Sequence, residues 1–196
     1  PSNIQGLPTW YEVRVSEKGY LGRRDGIDLM VAVNPQSMKE DVASVSSGGY
    51  FLYDSSKMLN PDFVRDDIHY LGIPLMEMCN NAYTDARQRQ LFKNIVYVGA
   101  LCALLDIDFT VFESLLADQF KGKEKLIAPN IQALKMGIDF VHENFSYPLD
   151  IRVERRDLLG DAIITDGNSA CGLGAVYAGA TVAAWYPITP STSVVE

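Results

Sequence analysis

Paired cysteines, clustered basic residues and long apolar runs are all lacking in this chain of 196 residues. The three cysteines, Cys79, Cys102 and Cys171, form no CxxC pair, so their spacing excludes a zinc or iron–sulfur site built from cysteine alone. An odd number without a disulfide framework is typical of a reducing compartment. Cys102 lies within an apolar run, which favours a buried and inert thiol.

Positive charge is also scarce, since 17 Lys and Arg stand against 25 Asp and Glu, for a net charge of −8. Nucleic-acid binding relies on clustered Lys and Arg, so no nucleic acid is expected as a partner. No stretch reaches the roughly 18 consecutive apolar residues of a membrane helix. No charged-then-apolar leader opens the chain either. We therefore expect a cytoplasmic protein without a membrane segment.

Strand and helix patterns alternate in the first part of the chain. Alternating or continuous apolar residues predict strands at four places, residues 10–16, 27–34, 50–53 and 69–73. Asn34-Pro35 predicts the start of a helix over residues 36–45, and Ser46-Ser47-Gly48-Gly49 predicts its end. This order of elements indicates a parallel α/β sheet.

The middle of the chain is predicted to be helical. Between residues 85 and 105, apolar side chains recur at helical spacing, at Leu91, Ile95, Val98 and then Leu101 or Cys102. Asp108 is a candidate cap for a second helix reaching residue 117. A third helix is predicted over residues 123–144, interrupted or offset at Pro129. These helices would form a layer that closes the α/β domain.

Residues 145–160 lack periodicity and are predicted to link a first domain, residues 1–144, to a second, residues 161–196. In the second domain we expect strands at residues 162–165 and 181–185 and a small-residue helix at 168–177. The pattern stops a few residues into an expected next helix, which predicts that this second domain is incomplete.

Residues 166–193 carry the strongest local motif. The small residues of the predicted helix, capped by Asn168 or Ser169, would allow it to lie close to the sheet. The loop Tyr-Pro-Ile-Thr-Pro-Ser at residues 186–191 is stiffened by two prolines and would lie at the edge of the sheet where α/β folds bind ligands. There the Thr189 hydroxyl would donate to a carboxylate or keto oxygen. The residues alone favour a plain strand-to-helix turn with Ser191 as N-cap.

The order Gly-Asn-x-Ala, Leu-Gly-Ala, Ala-Gly and Tyr-Pro-Ile-Thr-Pro-Ser resembles the opening of the alpha subunit of 2-oxoacid:ferredoxin oxidoreductases. Ser169 stands where that family often has an acidic residue. Residues 3–53 resemble the gamma domain, with Ile4-Gln5-Gly6 in place of Arg-Gly-Gly and without the glycine-rich first strand. Gamma before alpha resembles a fused large subunit. The implied fold is a gamma-type parallel-sheet domain with a helical extension, followed by the truncated start of a thiamine-enzyme-like α/β domain.

The resemblance implies oxidative decarboxylation of a 2-oxoacid to acyl-CoA and CO₂, with electrons passed reversibly to ferredoxin. Thiamine diphosphate, Mg²⁺ and a [4Fe–4S] cluster are expected mainly on a beta-type partner subunit, with coenzyme A as co-substrate and a dimer of heterodimers as the assembly. 2-Oxoglutarate is the favoured substrate, with pyruvate or broad 2-oxoacid use as alternatives. A competing hypothesis is a non-catalytic subunit-docking module.

Residue by residue, the resemblance assigns Thr189 as the catalytic, substrate-contacting hydroxyl. The substrate-binding loop would consist of Tyr186, Pro187, Ile188, Thr189, Pro190 and Ser191. Candidates for the phosphates of coenzyme A are Lys18, Arg23 and Arg24, although a solvated loop is the commoner role of such residues. No metal ligand is predicted. His69 and His142 are expected to be structural or exposed, and a helix cap explains Asp106 and Asp108 better than an acid–base pair.

Overall fold

The computed structural model describes residues 8–20, 22–156, 158–188 and 191–196. Its contacts divide the chain into two compact units. The larger unit is Trp10–Glu154, and the smaller one is Arg155–Glu196 together with Pro8 and Thr9. The three-part division at residues 1–144, 145–160 and 161–196 stays a prediction.

The larger unit is built on a three-stranded parallel sheet, in the order β1-β2-β3. The strands are β1 (Ile27–Ala32), β2 (Val45–Asp54) and β3 (His69–Ile73). Helix α1 (Met38–Ser44) connects β1 to β2, and a short 3₁₀ turn, Pro61–Phe63, precedes β3. The predicted parallel α/β sheet is confirmed.

Both faces of the sheet are covered, as expected for parallel strands. Alternate residues of the central strand point to opposite sides. Leu52 enters a large core with Val96 and Val141, whereas Phe51 enters a smaller core with Val42 of α1. Phe51 and Leu52 are both fully buried.

The Ser-Ser-Gly-Gly segment lies inside β2 instead of before it. Ile27 pairs with Val45 but Leu29 pairs with Tyr50, so the residues between them bulge out of the ladder. Gly48 has a φ of 77°, a conformation that favours glycine. The predicted helix end is therefore correct in place, but the segment is a bulge in the following strand.

The predicted strand at residues 10–16 is wrong, because the described residues 8–16 form no regular structure. Tyr11 is 95% exposed, and no strand of the sheet pairs with the segment. A segment with alternating apolar residues becomes a strand only where a neighbouring strand shares backbone hydrogen bonds with it. The segment is instead anchored by Trp10, whose Nε1 donates to Oδ1 of the buried Asp41 at 2.6 Å.

Four helices of the larger unit follow β3. They are α2 (Leu75–Ala82), α3 (Ala86–Leu104), α4 (Phe109–Gln119) and α5 (Ile127–Asn144), with a 3₁₀ turn, Glu124–Leu126, before α5. Asp108 caps α4 through the Thr110 amide at 2.9 Å, as predicted. Pro129 lies in the first turn of α5, where its missing N–H has no partner to lose, so the helix is not interrupted there; its start is offset from residue 123 to Ile127, the other predicted outcome.

Helices α3 and α5 cross at very short distance. A Cβ built on Gly99 would lie 2.0 Å from the Leu134 carbonyl oxygen, and one built on Gly137 would lie 2.0 Å from that of Val96. Only glycine permits this contact between two backbones. The buried face of α3 is accordingly the one with Val96 and Gly99, together with Phe92, Ala100, Cys102 and Leu104.

The predicted apolar face of α3 is off by one position at Leu91, Ile95 and Val98, whereas Cys102, one of the two alternatives predicted for its last position, is buried. Leu91 is 59% exposed, and Ile95 and Val98 are only partly buried. Apolar side chains at residues 92 and 96 fit the helical spacing as well as those at 91 and 95 do, and glycine adds nothing to a hydrophobic pattern. The contact with α5 selects the face.

The smaller unit contains α6 (Gly167–Tyr177) and α7 (Thr192–Val195). The strands predicted at residues 162–165 and 181–185 are not formed. Ile164 and Val182 are more than four-fifths exposed, and the described part of the unit offers no neighbouring strand. An apolar run needs a paired neighbour to become a strand.

Among the described residues, no helix has the length and apolar character needed to cross a bilayer.

Candidate functional site

The basic loop before β1 is held by carboxylates. Arg23 Nε lies 3.2 Å from Glu12 Oε2, and Arg24 is paired with Asp28. Lys18 is exposed in the turn before Gly19, whose φ of 67° suits glycine. Both guanidinium groups stay exposed and keep donors beyond those used by the carboxylates. Coenzyme A binding by these three residues stays a prediction.

The carboxyl edge of the sheet is occupied by the chain's own side chains. Ser56 Oγ accepts from the Glu77 amide at 3.0 Å, and Asp54 Oδ1 accepts from the Met76 amide at 3.4 Å. These groups satisfy the first amides of α2, which would otherwise attract an anion. The N-terminus of α2 is thus capped internally.

The first turn of α6 is organised by Asp166. Its Oδ1 accepts from the amides of Asn168 and Ser169 at 2.9 and 3.0 Å, and its Oδ2 accepts from the Ser169 hydroxyl at 2.7 Å. Hydrogen bonds from the Ser169 amide and hydroxyl lower the pKa of Asp166 below its usual value. The cap is Asp166, and the prediction of Asn168 or Ser169 is wrong. Asp is itself a preferred N-cap residue, which was the available signal.

Hydrogen bonds to backbone carbonyl groups join the described residues of the loop, 186–188 and 191. Ser191 Oγ donates to the Ile188 carbonyl at 2.7 Å and to that of Tyr186 at 3.1 Å. The Ile188 amide also donates to the Tyr186 carbonyl at 2.8 Å. Tyr186, Pro187 and Ile188 are exposed. Thr189 and Pro190 lie outside the described residues, so the assigned role of the hydroxyl stays a prediction.

Ser191 occupies the N-cap position of α7 without capping it. Its side chain makes no cap hydrogen bond, because the hydroxyl is turned toward the loop carbonyls. Ser191 therefore stands at the N-cap position that the plain-turn interpretation gives it, but the strand expected before the turn is not formed. The Ser191 hydroxyl bonds to the carbonyl groups of Tyr186 and Ile188 instead of to an amide of α7.

Two contacts join α6 and α7. Asn168 Nδ2 donates to Ser193 Oγ at 2.8 Å, across 25 positions of sequence. One turn further along α6, a Cβ on Gly172 would lie 2.4 Å from the Val194 carbonyl oxygen. These pairings were missed at the sequence level, since spacing alone does not show which turn of α6 meets the residues after the loop.

Each of the two histidines stacks on a tyrosine ring. His69 stacks on Tyr50 with ring centroids 5.1 Å apart, and His142 stacks on Tyr147 at 4.2 Å. Asp106 has a φ of 55° in the turn before α4. Within the described residues no group of three or more His, Cys, Asp or Glu is placed to hold a metal ion.

The three thiols differ in exposure. Cys79 and Cys102 are buried, whereas Cys171 is exposed on α6. Burial raises the pKa of Cys79 and raises that of Cys102 to about 11. Alkylation requires the thiolate, which at about pH 8 would be roughly one part in a thousand of Cys102.

We therefore expect iodoacetamide to modify Cys171 in the native chain and to leave Cys79 and Cys102 intact. Peptide mass spectrometry after brief labelling measures this, and labelling in urea, where all three thiols should react, is the control. Modification of Cys102 as fast as Cys171 would contradict the buried position.

Comparison with known proteins places these features in context. Residues 1–140 match the family described as pyruvate ferredoxin/flavodoxin oxidoreductase. The chain is similar to the alpha subunit of 2-oxoacid:ferredoxin oxidoreductase 2 from Aeropyrum pernix, at 24% identity over 97% of this chain and 36% of the relative. It is also similar to ketoisovalerate oxidoreductase subunit VorA from Methanothermobacter thermautotrophicus, at 32% identity over 61% of this chain and 24% of the relative.

A solved structure shows the same fold. It is the 2-oxoglutarate:ferredoxin oxidoreductase from Magnetococcus marinus with 2-oxoglutarate, coenzyme A and succinyl-CoA bound. The likeness has a TM-score of 0.72 and 28% sequence identity, and it covers 87% of this chain and 29% of that one. The chain thus spans about a third or less of the length of these relatives.

Proposed function

The chain belongs to the pyruvate ferredoxin/flavodoxin oxidoreductase family, and on that basis we propose that it acts within the large subunit of a coenzyme A-acylating 2-oxoacid:ferredoxin oxidoreductase. The observation that carries the proposal is the family match over residues 1–140. The structural likeness over 87% of the chain supports it. The proposed reaction converts a 2-oxoacid and coenzyme A to acyl-CoA, CO₂ and a proton, and two electrons reduce ferredoxin.

Most of the catalytic equipment is proposed to lie on a beta-type partner subunit. Thiamine diphosphate, when bound there with Mg²⁺, would supply the carbon nucleophile for the keto group, and a [4Fe–4S] cluster would carry the electrons. The assembly is proposed to be a dimer of heterodimers.

This chain's own contribution is proposed to be the loop at residues 186–191. Thr189 would donate its hydroxyl to the carboxylate or keto oxygen of the substrate. Ser191 holds the carbonyls of Tyr186 and Ile188 at hydrogen-bond distance, which would preorganise the two described sides of the loop. Such preorganisation lowers the entropic cost of orienting a bound substrate.

Coenzyme A would be held in part by Lys18, Arg23 and Arg24. Arg23 and Arg24 are oriented by Glu12 and Asp28 and remain exposed, so each has donors left for a phosphate. Glu12 and Asp28 would lower the affinity of these arginines for phosphate, because the carboxylates neutralise part of the guanidinium charge.

2-Oxoglutarate is the proposed substrate. The Magnetococcus marinus enzyme carries that name and was solved with 2-oxoglutarate bound. The VorA relative is named for ketoisovalerate, so branched 2-oxoacids and pyruvate are the alternatives to test.

A second candidate is a non-catalytic subunit-docking module. It is favoured by the exposed apolar side chains of the smaller unit, among them Val176 and Tyr177 on α6. Large exposed apolar side chains are common at protein–protein contacts. In that case the loop would be scaffold and Thr189 would be dispensable for turnover.

The test uses the holoenzyme, formed by the polypeptide that contains these residues and its partner subunit. Coenzyme A-dependent reduction of a viologen dye is measured with 2-oxoglutarate, pyruvate and ketoisovalerate. Thr189→Val, which keeps the shape but removes the hydroxyl, is expected to lower kcat/KM by roughly 10- to 100-fold, the cost of a hydrogen bond to a charged group.

Thr189→Ser is the matched control, because it keeps the hydroxyl, and it is expected to retain most of the activity. Size-exclusion chromatography checks that every variant still assembles. Dye reduction that Thr189→Val leaves unchanged would favour the docking module, and the absence of reduction with all three oxoacids would remove the proposed reaction.

A further inference from the structure

The two helices of the smaller unit are joined by a polar contact whose partners are distant in sequence. Asn168, in the first turn of α6, donates from Nδ2 to the Ser193 hydroxyl of α7 at 2.8 Å. The position of Asn168 is itself fixed, because its amide donates to Asp166 in the helix cap. The side-chain amide is therefore presented to α7 from an ordered turn.

The contact lies at a close approach of the two helices. Gly172 is four residues after Asn168 and so lies on the same face of α6. A Cβ at Gly172 would be 2.4 Å from the Val194 carbonyl oxygen, which shows how near α7 lies. The Asn168–Ser193 hydrogen bond and the close approach of Gly172 to Val194 thus hold α7 against α6.

The placement of α7 is transmitted to the loop before it. The Val194 amide donates to the Ser191 carbonyl at 3.1 Å, which joins Ser191 to the helix. The Ser191 hydroxyl in turn donates to the carbonyls of Tyr186 and Ile188. Asn168 is thus connected to Tyr186 and Ile188 in three steps, which are its hydrogen bond to Ser193, the backbone of α7 and the hydrogen bonds of Ser191.

We propose that Asn168 and Ser193 are positioning residues, whose hydrogen bond holds Ser191, and through it the carbonyls of Tyr186 and Ile188, in the arrangement that turnover requires. This inference rests on the proposed function of that loop. Neither residue is assigned a contact with substrate or cofactor. Their effect passes through Ser191, so loss of either partner should slow turnover without preventing assembly.

The test measures kcat and KM separately in the holoenzyme for Asn168→Ala, Ser193→Ala and the double variant. Each single change is expected to lower kcat/KM about five- to tenfold, the typical worth of one hydrogen bond. The loss in the double variant should be smaller than the product of the two single losses, because each single change already removes the contact that the two residues share. Ser193→Thr, which keeps the hydroxyl, should restore at least half of the activity.

Asn144→Ala is the matched control. Asn144 is also an exposed asparagine whose Nδ2 donates to a nearby oxygen, the Phe140 carbonyl of its own helix at 2.9 Å. Its removal should leave kcat and KM unchanged. This control separates the effect of losing the contact with α7 from the effect of losing an amide side chain in general.

Amide hydrogen exchange supplies a readout that does not depend on activity. Peptides covering residues 186–196 should exchange faster in Asn168→Ala and Ser193→Ala than in wild type, and Ser193→Thr should match wild type. The positioning role would be overturned by any of three results. These are hydrogen exchange of residues 186–196 that matches wild type, a kcat/KM loss in the double variant equal to the product of the single losses, or a failure of the variants to assemble with the partner subunit.

Failure of this inference is distinguishable from failure of the proposed function. If wild type is active and Thr189→Val is impaired while Asn168→Ala and Ser193→Ala behave as wild type, only the positioning role is wrong. If wild type shows no coenzyme A-dependent reduction, or Thr189→Val is fully active, the proposed function itself is wrong.

Discussion

Gly137→Ala is expected to destabilise the larger unit by about 3 kcal/mol or more. The added methyl group would lie 2.0 Å from the Val96 carbonyl oxygen and 2.6 Å from the Ala100 amide nitrogen, and both are backbone atoms that no rotamer change can move. Helix α5 would have to shift away from α3, which opens the core around the crossing. Urea unfolding of the chain, followed by circular dichroism, measures the change in free energy of unfolding.

Gly174→Ala is the matched control, since it makes the same substitution inside a helix. A Cβ at Gly174 meets no atom within 4 Å. Alanine is the better helix former by about 1 kcal/mol, so this variant should be neutral or slightly more stable. Equal unfolding curves for Gly137→Ala and wild type would show that the two helices lie further apart than described.

Phe92→Ala is expected to cost about 3–5 kcal/mol in free energy of unfolding, whereas Leu91→Ala should cost less than about 0.5 kcal/mol. Phe92 is 6% exposed and stacks on Tyr83 with ring centroids 4.6 Å apart. Its removal would leave a cavity beside α2 and the sheet. Leu91, the preceding residue, projects mostly into solvent.

This pair of variants decides which face of α3 is buried. The spacing in the sequence predicts a face with Leu91, which would make Leu91→Ala cost about 2–5 kcal/mol. The structure predicts the reverse order of effects. Chemical denaturation of both variants under the same conditions measures the two changes in free energy of unfolding. A larger loss for Leu91→Ala would show that the face predicted from the sequence is the buried one.

Much of the larger unit follows from local sequence. Strands β1 and β3 form where the apolar runs predicted them. Helix α1 connects β1 to β2, and these two strands run parallel. Asp85 and Asp108 cap α3 and α4, since an Asp before an apolar helix satisfies its first amides without help from distant residues. These features depend on neighbours only a few positions away.

Other features could not be predicted because they depend on what lies across a gap in sequence. The alternating segment at residues 10–16 and the apolar runs at 162–165 and 181–185 have strand patterns but no partner strand among the described residues. Backbone hydrogen bonding is a property of two segments, and a pattern describes only one. The bulge inside β2 likewise appears only in the register with β1.

The candidate site divides in the same way. The sequence by itself determined the Tyr-Pro-Ile-Thr-Pro-Ser loop, its family resemblance and the small-residue helix before it. Only the tertiary structure decided that Ser191 bonds to the loop carbonyls instead of capping α7, and that Asn168 meets Ser193. Local chemistry sets which groups are able to donate and accept, but chain packing sets which of them come within 3 Å of each other, and that distance decides what a hydroxyl or an amide does.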